Sequence, residues 1–285
     1  MARLLSYARL LKLKQTFLLV FSGLAPLFIG LRGSVELSLV ATYVAGLSLA
    51  VAGTTAVNMY FDRDIDAAMR RTAGRPLPTR EIDPPWKAIA LGLALFGLGE
   101  VVSLRLGILT AAIVGLGFAF DIFVYTLATK RRTPWSVIFG GVAGAAPALA
   151  GWTAATGELG LEGILLAALV LLWIPEHIWT LATYYADDYA KAGVPMLPVV
   201  WGAKKSARAT LAFSLGAAAV AICLGWAAKL GAVYEAVAVL ASAILVQNTL
   251  AFARDPSPER AMKTFKVANA YLGIVLLAAL LSSLT

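Results

Sequence analysis

Asn58, Asp62 and Asp66 recur every four residues in the stretch Asn58-Met-Tyr-Phe-Asp62-Arg-Asp64-Ile-Asp66. On a helix this spacing stacks three oxygen-bearing side chains along one stripe. Magnesium is a hard cation that prefers one or two carboxylates completed by phosphate oxygens to an all-protein cage. The stripe therefore suits one half of a metal-diphosphate site. Taken alone, it reads equally well as the charged flank of a membrane span, with Asp66 pairing to Arg70 at i+4.

The residues that follow favour the first reading. Met69-Arg70-Arg71-Thr-Ala-Gly-Arg75-Pro-Leu-Pro78 sets Arg70, Arg71 and Arg75 a few positions beyond the carboxylates. Guanidinium groups neutralise the charge that develops as a diphosphate departs. Pro76 and Pro78 end the helix and stiffen the loop.

A second polar stripe, Glu176, Thr180, Tyr184 and Asp188, again at i+4, is flanked by His177 and Asp187. An acid within an apolar run is expensive and faces a cavity or a partner rather than lipid, so this stripe is expected to form a cavity wall. Asp121, Tyr125 and Thr129 repeat the spacing more weakly and lead into Lys130. Asp121 reads either as a catalytic group or as a polar contact between helices. Lys130 reads either as a phosphate ligand or as a cytoplasmic anchor.

These groups must be positioned by membrane-spanning helices. Of the 285 residues, 60% are hydrophobic and 14% charged, whereas a soluble domain is nearer half and a quarter. A hydrocarbon core about 30 Å thick needs about 20 apolar residues per helix. Nine such runs are expected, at 16-32, 37-59, 86-104, 106-128, 135-155, 160-185, 206-228, 232-253 and 264-283. The expected fold is an all-α polytopic bundle forming a single domain over 1-285. Residues 1-15 are basic and mildly amphipathic, with Leu4, Leu5, Ala8 and Leu11 set against Arg3, Arg9 and Lys12, and read as an interfacial helix rather than a cleavable signal.

Of the 24 Lys and Arg residues, only Arg32, Arg105 and Lys229 fall on one side of these spans. The remaining 21 (24 minus 3) mark the other side, which also holds the N-terminus, as cytoplasmic. This asymmetry accounts for the net charge of +8 without a nucleic-acid partner. Cys223 stands alone in an apolar run, which excludes a disulfide framework. With one histidine and one cysteine, a zinc or iron site of nitrogen and sulfur ligands is not expected. The acid-bearing ends of the second and sixth spans suggest two related halves around one site.

At these residues the chain resembles the UbiA superfamily of intramembrane prenyltransferases, whose first signature is an Asn and two Asp at spacings of four. The run from Asn58 to Pro78 is similar, more narrowly, to the haem-farnesylating subfamily, the haem O synthases. So are Trp173-Ile-Pro-Glu-His177-Ile-Trp, the segment Asp187-Asp188-Tyr-Ala-Lys-Ala-Gly-Val-Pro-Met-Leu-Pro198, Lys130-Arg-Arg-Thr-Pro134 and Gly-Gly-Val-Ala-Gly-Ala-Ala-Pro147. The resemblance implies a nine-helix bundle around a cavity, in a prokaryotic cell membrane. It implies a prenyl diphosphate held through Mg2+ at the cytoplasmic mouth, and haem b as the acceptor of the prenyl group and water.

The implied metal ligands are Asn58, Asp62, Asp66 and Asp188, with Asp187 and Tyr184 completing the catalytic set. Lys14, Arg70, Arg71, Arg75 and Lys130 are the implied diphosphate ligands. His177, Glu176, Asp121 and Tyr125 would line the acceptor cavity, and haem-modifying or oxidase-assembly proteins are the implied downstream partners. The chain departs from the usual patterns at three places. Tyr184-Tyr-Ala-Asp187-Asp188 replaces two aspartates four apart, Lys12-Leu-Lys14 replaces Lys-Pro-Arg, and Pro175-Glu176 replaces a pair of prolines. Prenylation of a quinone precursor or lipid would use the same first signature. A proton-coupled transporter could use Asp121, Glu176 and His177 as a relay, but the acids here crowd the cytoplasmic ends rather than broken mid-membrane helices.

Overall fold

The computed structural model describes residues 2–284, with side chains from Leu4 onward; the Arg3 side chain of the expected interfacial helix lies outside the described residues. Among the described residues the fold is all helical, with nine helices long and apolar enough to cross a membrane. A short helix α1 (Ala2–Leu10) precedes the spanning helices α2 (Leu13–Leu31) and α3 (Leu37–Phe61). The six-residue α4 (Arg63–Ala68) and a long loop lead to the third span, α5 (Trp86–Ser103). The fourth span starts as α6 (Ile108–Ala119) and ends as a π-helix over Phe120–Thr129. Then come α7 (Ser136–Thr156), α8 (Leu161–Tyr184), the six-residue α9 (Ala186–Lys191), α10 (Leu197–Ala227), α11 (Gly231–Arg254) and α12 (Pro258–Ser282).

Most spans begin and end within three residues of the hydropathic runs. Two start earlier: α10 at Leu197 rather than 206, and α12 at Pro258 rather than 264. Each has a proline in its first turn, where the missing N–H costs nothing and the fixed φ favours a helical start. Both extend beyond the apolar runs, and α10 kinks at Gly202, whose φ of 79° is non-helical.

Without a hydrophobic drive between helices in lipid, close packing holds such a bundle together. Helices α3 and α5 meet at glycines: a Cβ on Gly53 would lie 2.5 Å from the Gly92 carbonyl oxygen, and one on Gly99 would lie 2.5 Å from the Ala50 nitrogen. Helices α2 and α7 cross in the same way at Gly23 and Gly151. Tyr43 of α3 locks that crossing by donating its hydroxyl to the Pro147 carbonyl at 2.9 Å. Pro147 and Pro175 stand inside their helices, a disruption that neighbouring helices make tolerable in lipid.

One construction occurs twice. A long span is interrupted by a single residue outside helical geometry and resumes as a six-residue helix: α3, Asp62, α4, and again α8, Tyr185, α9. The two acidic motifs lie at these two interruptions.

Candidate diphosphate site at the mouth of the bundle

The break at Asp62 does not disturb the register of the first motif. Asp62 N–H donates to Asn58 O at 3.0 Å and Asp66 N–H to Asp62 O at 2.8 Å, so the three side chains stay on one stripe. All three residues are buried. Asp62 Oδ2 accepts from Lys130 Nζ at 2.5 Å, and Arg75 Nη1 reaches both carboxylate oxygens of Asp66 at 2.7 Å. Thr72 holds the arginine-bearing loop in place by donating to the Asp66 carbonyl at 3.0 Å.

Asn58 donates to Thr126 Oγ1 at 2.8 Å, and that hydroxyl donates in turn to the Asp121 carbonyl, five residues back, at 2.7 Å. The wide turns of the π-helix permit this. At 3.6 residues per turn, Asp121 and Lys130 would stand half a turn apart. At roughly 4.4 residues per turn, characteristic of i→i+5 bonding, they share a face. Lys130 N–H closes the last such turn onto Tyr125 O at 2.8 Å. The Lys130 ammonium lies 5.4 Å from the Tyr125 ring centre.

Lys12 also reaches this centre. It joins α1 to α2 with a φ of 45°, a left-handed conformation that costs a non-glycine residue about 1–2 kcal/mol and recurs at functional sites. Its ammonium lies within electrostatic reach of Arg75, Asp62, Asp66 and Lys130. Burial, then Arg75, lower its pKa to about 8. Lys14, by contrast, is exposed on the first turn of α2. Helix α1 is held over the site by Ser6, which donates to Glu81 at 2.5 Å, and by the Arg9–Glu81 ion pair. Leu10 packs there among Ala56, Met59, Leu77 and Ile82.

The second motif contributes one inward acid. Asp188 is buried and faces Arg70 Nε at 3.4 Å, whereas Asp187 and Tyr184 are exposed. Tyr189, which the spacing argument passed over, is buried within electrostatic reach of Tyr125 and Lys130. Arg71 lies over the Tyr185 ring at 5.5 Å. On the outer side, Arg131 forks onto Asp64 with two 2.6 Å bonds and also donates to the Phe61 carbonyl at 3.0 Å, capping α3. The hydrogen bonds from Arg131 lower the Asp64 pKa to about 2.

Glu176 and His177 lie deeper and apart from this centre. Glu176 is fully buried with neither carboxylate oxygen hydrogen-bonded, and it faces α10 near Ser214. His177 is sandwiched between Trp173, 4.4 Å away, and Phe265, 4.6 Å away.

Among the described residues no three His, Cys, Asp or Glu side chains converge closely enough to hold a metal by themselves. Magnesium takes few carboxylates and completes its shell with water and phosphate. Asp62 Oδ1 is buried with no hydrogen-bond partner, and a buried unpaired carboxylate oxygen is costly unless a donor or cation meets it. Asp62, at the break between α3 and α4, is the carboxylate that fits the ion, while Asp66 is bound by Arg75 and Asp188 faces Arg70.

Residues 18–275 match the UbiA prenyltransferase family. The chain is 42% identical over 269 residues to a protoheme IX farnesyltransferase from Korarchaeum cryptofilum, covering 94% of this chain and 90% of that one. It is 38% identical over 281 residues to that of Archaeoglobus fulgidus, covering 99% of each. Among solved structures, it superposes on a digeranylgeranylglyceryl phosphate synthase with a TM-score of 0.83 at 22% identity, covering 100% and 99% of the two chains. It superposes on a UbiA homolog from Archaeoglobus fulgidus bound to DMAPP and Mg2+ with a TM-score of 0.67 at 15% identity, covering 96% and 99%. These two likenesses establish the fold, the family match and the relatives establish the lineage, and the chain belongs to the UbiA prenyltransferase family, among the protoheme IX farnesyltransferases.

Proposed function

We propose that the chain transfers a farnesyl or longer prenyl group from its diphosphate to a vinyl group of haem b, with addition of water, giving haem O and diphosphate. The observation that carries this reading is the Asp62 carboxylate. One of its oxygens is bound by Lys130 and the other is buried and unpaired, beside the Asp66–Arg75 pair. This array offers carboxylate oxygens to Mg2+ and cations to a diphosphate in the same few ångströms.

Asn58, Asp62, Asp66 and Asp188 would hold the metal, which would supply charge neutralisation to the leaving group. Lys130, Arg75 and Lys12 are placed to contact the diphosphate oxygens. Arg70, Arg71 and Lys14 are exposed cations at the same mouth, suited to capturing the donor, and Asp187 and Tyr184 form its outer rim. His177 and Glu176 would meet the acceptor deeper in the bundle. As the carbon–oxygen bond breaks, an allylic cation forms and the vinyl group attacks it, with apolar helices limiting the access of stray water. The distribution of Lys and Arg supports a cytoplasmic position for this mouth. A product that stays in the bilayer suits handover to a membrane-bound haem-modifying enzyme.

The test is the purified protein with haem b, farnesyl diphosphate and Mg2+, followed by mass spectrometry of the haem and by assay of diphosphate. A hydroxyethylfarnesyl haem that disappears with EDTA is expected. Absence of both adduct and diphosphate would overturn the reading. Diphosphate release only on adding a quinone precursor would assign a different acceptor.

A further inference from the structure

We infer that Asp121 is the proton acceptor for the water that completes haem O formation, an inference that rests on the function proposed above. When the vinyl group uses its π pair to bond the prenyl carbon, the carbon attached to the porphyrin is left cationic. A water oxygen must then donate a lone pair to that carbon and lose a proton. No oxidant or reductant enters this step, but a base must stand close to the water.

Four inward-facing carboxylates belong to this end of the bundle, and three have a cation as partner: Asp62 with Lys130, Asp66 with Arg75, and Asp188 with Arg70. The Asp121 carboxylate makes no ion pair or hydrogen bond among the described residues, yet it lies within electrostatic reach of Lys12, Lys130, Asp62 and Tyr125. The π-helix turns it to the same face as Lys130. It also stands one helical turn, about 5 Å, deeper than Thr126, which anchors Asn58. The leaving oxygen belongs at the Asp62 level, Asn58 and Thr126 lie one turn inside it, and Asp121 lies one turn inside them, on the side where the reacting carbons must stand. A carboxylate held near two ammonium groups but bonded to neither keeps its lone pairs available. It can accept the proton and pass it outward towards the mouth.

Full-length Asp121→Asn is assayed in lipid nanodiscs with haem b, farnesyl diphosphate and Mg2+, reading diphosphate and both haem adducts by mass spectrometry. The hydroxylated adduct should fall on the order of a hundredfold relative to diphosphate released, the scale of general-base catalysis. An adduct lighter by one water should rise in its place, because the cation then loses a proton from carbon. Asp121→Glu should restore part of the hydroxylated share. An unchanged hydroxylated share in folded Asp121→Asn overturns the inference, as does parallel loss of diphosphate and both adducts. Should Asp121→Asn not fold, an Asp121→Ser protein, which also lacks the carboxylate, with wild-type partition between the adducts overturns it equally. A wild-type protein that makes no haem adduct refutes the acceptor itself, and that result appears in a separate arm.

Discussion

The Lys130 ammonium lies 2.5 Å from Asp62 Oδ2, joining the π-helical end of the fourth span to the break after the second across 68 residues. Burial alone would lower the pKa of this lysine, but the Tyr125 oxygen and the Asp62 carboxylate outweigh burial and hold it above the ordinary lysine range. Lys130 therefore enters the site as a fixed cation.

Lys130→Met should leave Asp62 uncompensated and destabilise the protein by about 3–5 kcal/mol. It should also slow diphosphate release by about a hundredfold or more, as loss of one preorganised charge does. Adding Asp62→Asn should recover much of the stability, measured by thermal unfolding in detergent, and none of the activity. Recovery of turnover in the double variant would show that the pair is only a structural tie.

Lys12 gives the site a pH dependence. Its pKa is lowered to about 8, so above that pH the free site loses a positive charge. Relative to a variant whose charge does not titrate, so that the ligand's own ionisation cancels, inorganic diphosphate should hold a constant affinity ratio below about pH 8 and bind progressively more weakly above it. Stability runs the other way: between about pH 8 and the ordinary lysine value the unfolded chain holds more protons than the folded one, so this residue's contribution rises with pH. Lys12→Arg keeps its charge throughout this range. It should abolish the fall in affinity, measured by calorimetry from pH 6.5 to 9.5.

Much of this was legible in the residues, and the exceptions share a cause. Runs of about 20 apolar residues report the bilayer, so the nine spans followed from hydropathy. The early starts of α10 and α12 did not, because Lys204, Lys205 and Arg208, or Arg260 and Lys263, are polar yet helical. The stripe from Asn58 to Asp66 was visible because i+4 bonding runs on through the break. Which of Lys12 and Lys14 faces the site depends on one left-handed residue, and spacing cannot show that. Nor can it show that a π-helix brings Asp121 round to Lys130, or which member of Asp187-Asp188 turns inward.

Thr126 tests whether the inner end of the site is built through hydrogen bonds. Its hydroxyl accepts from Asn58 and donates to the Asp121 carbonyl, so Thr126→Val keeps the shape and removes both bonds. Loss of such an orienting partner costs about 10–100-fold in metal affinity. The Mg2+ concentration giving half-maximal diphosphate release should rise by that factor, with a smaller change at saturating Mg2+, and Thr126→Ser should reverse it. An unchanged Mg2+ requirement would remove Asn58 from the metal's surroundings.

Three glycines of α5 separate bundle packing from site geometry. A Cβ on Gly92 would lie 2.7 Å from Val57 Cγ2 and 2.8 Å from the Gly53 carbonyl oxygen, whereas one on Gly99 would press on Ala50 and Gly46, farther from the mouth. Gly92→Ala and Gly99→Ala should each destabilise the protein by about 1–3 kcal/mol through overpacking. Gly97 has nothing within 4 Å of its would-be Cβ, so Gly97→Ala should be neutral or gain up to about 1 kcal/mol from helix propensity. Val57 directly precedes Asn58, so pushing on it moves the first ligand of the stripe. Gly92→Ala should therefore lose activity beyond its stability cost, seen as a raised Mg2+ requirement at a temperature where all three variants are folded, while Gly99→Ala should not. Equal activity losses in these two would mean that the stripe is held by α4 and its loop rather than by the packing of α3 on α5.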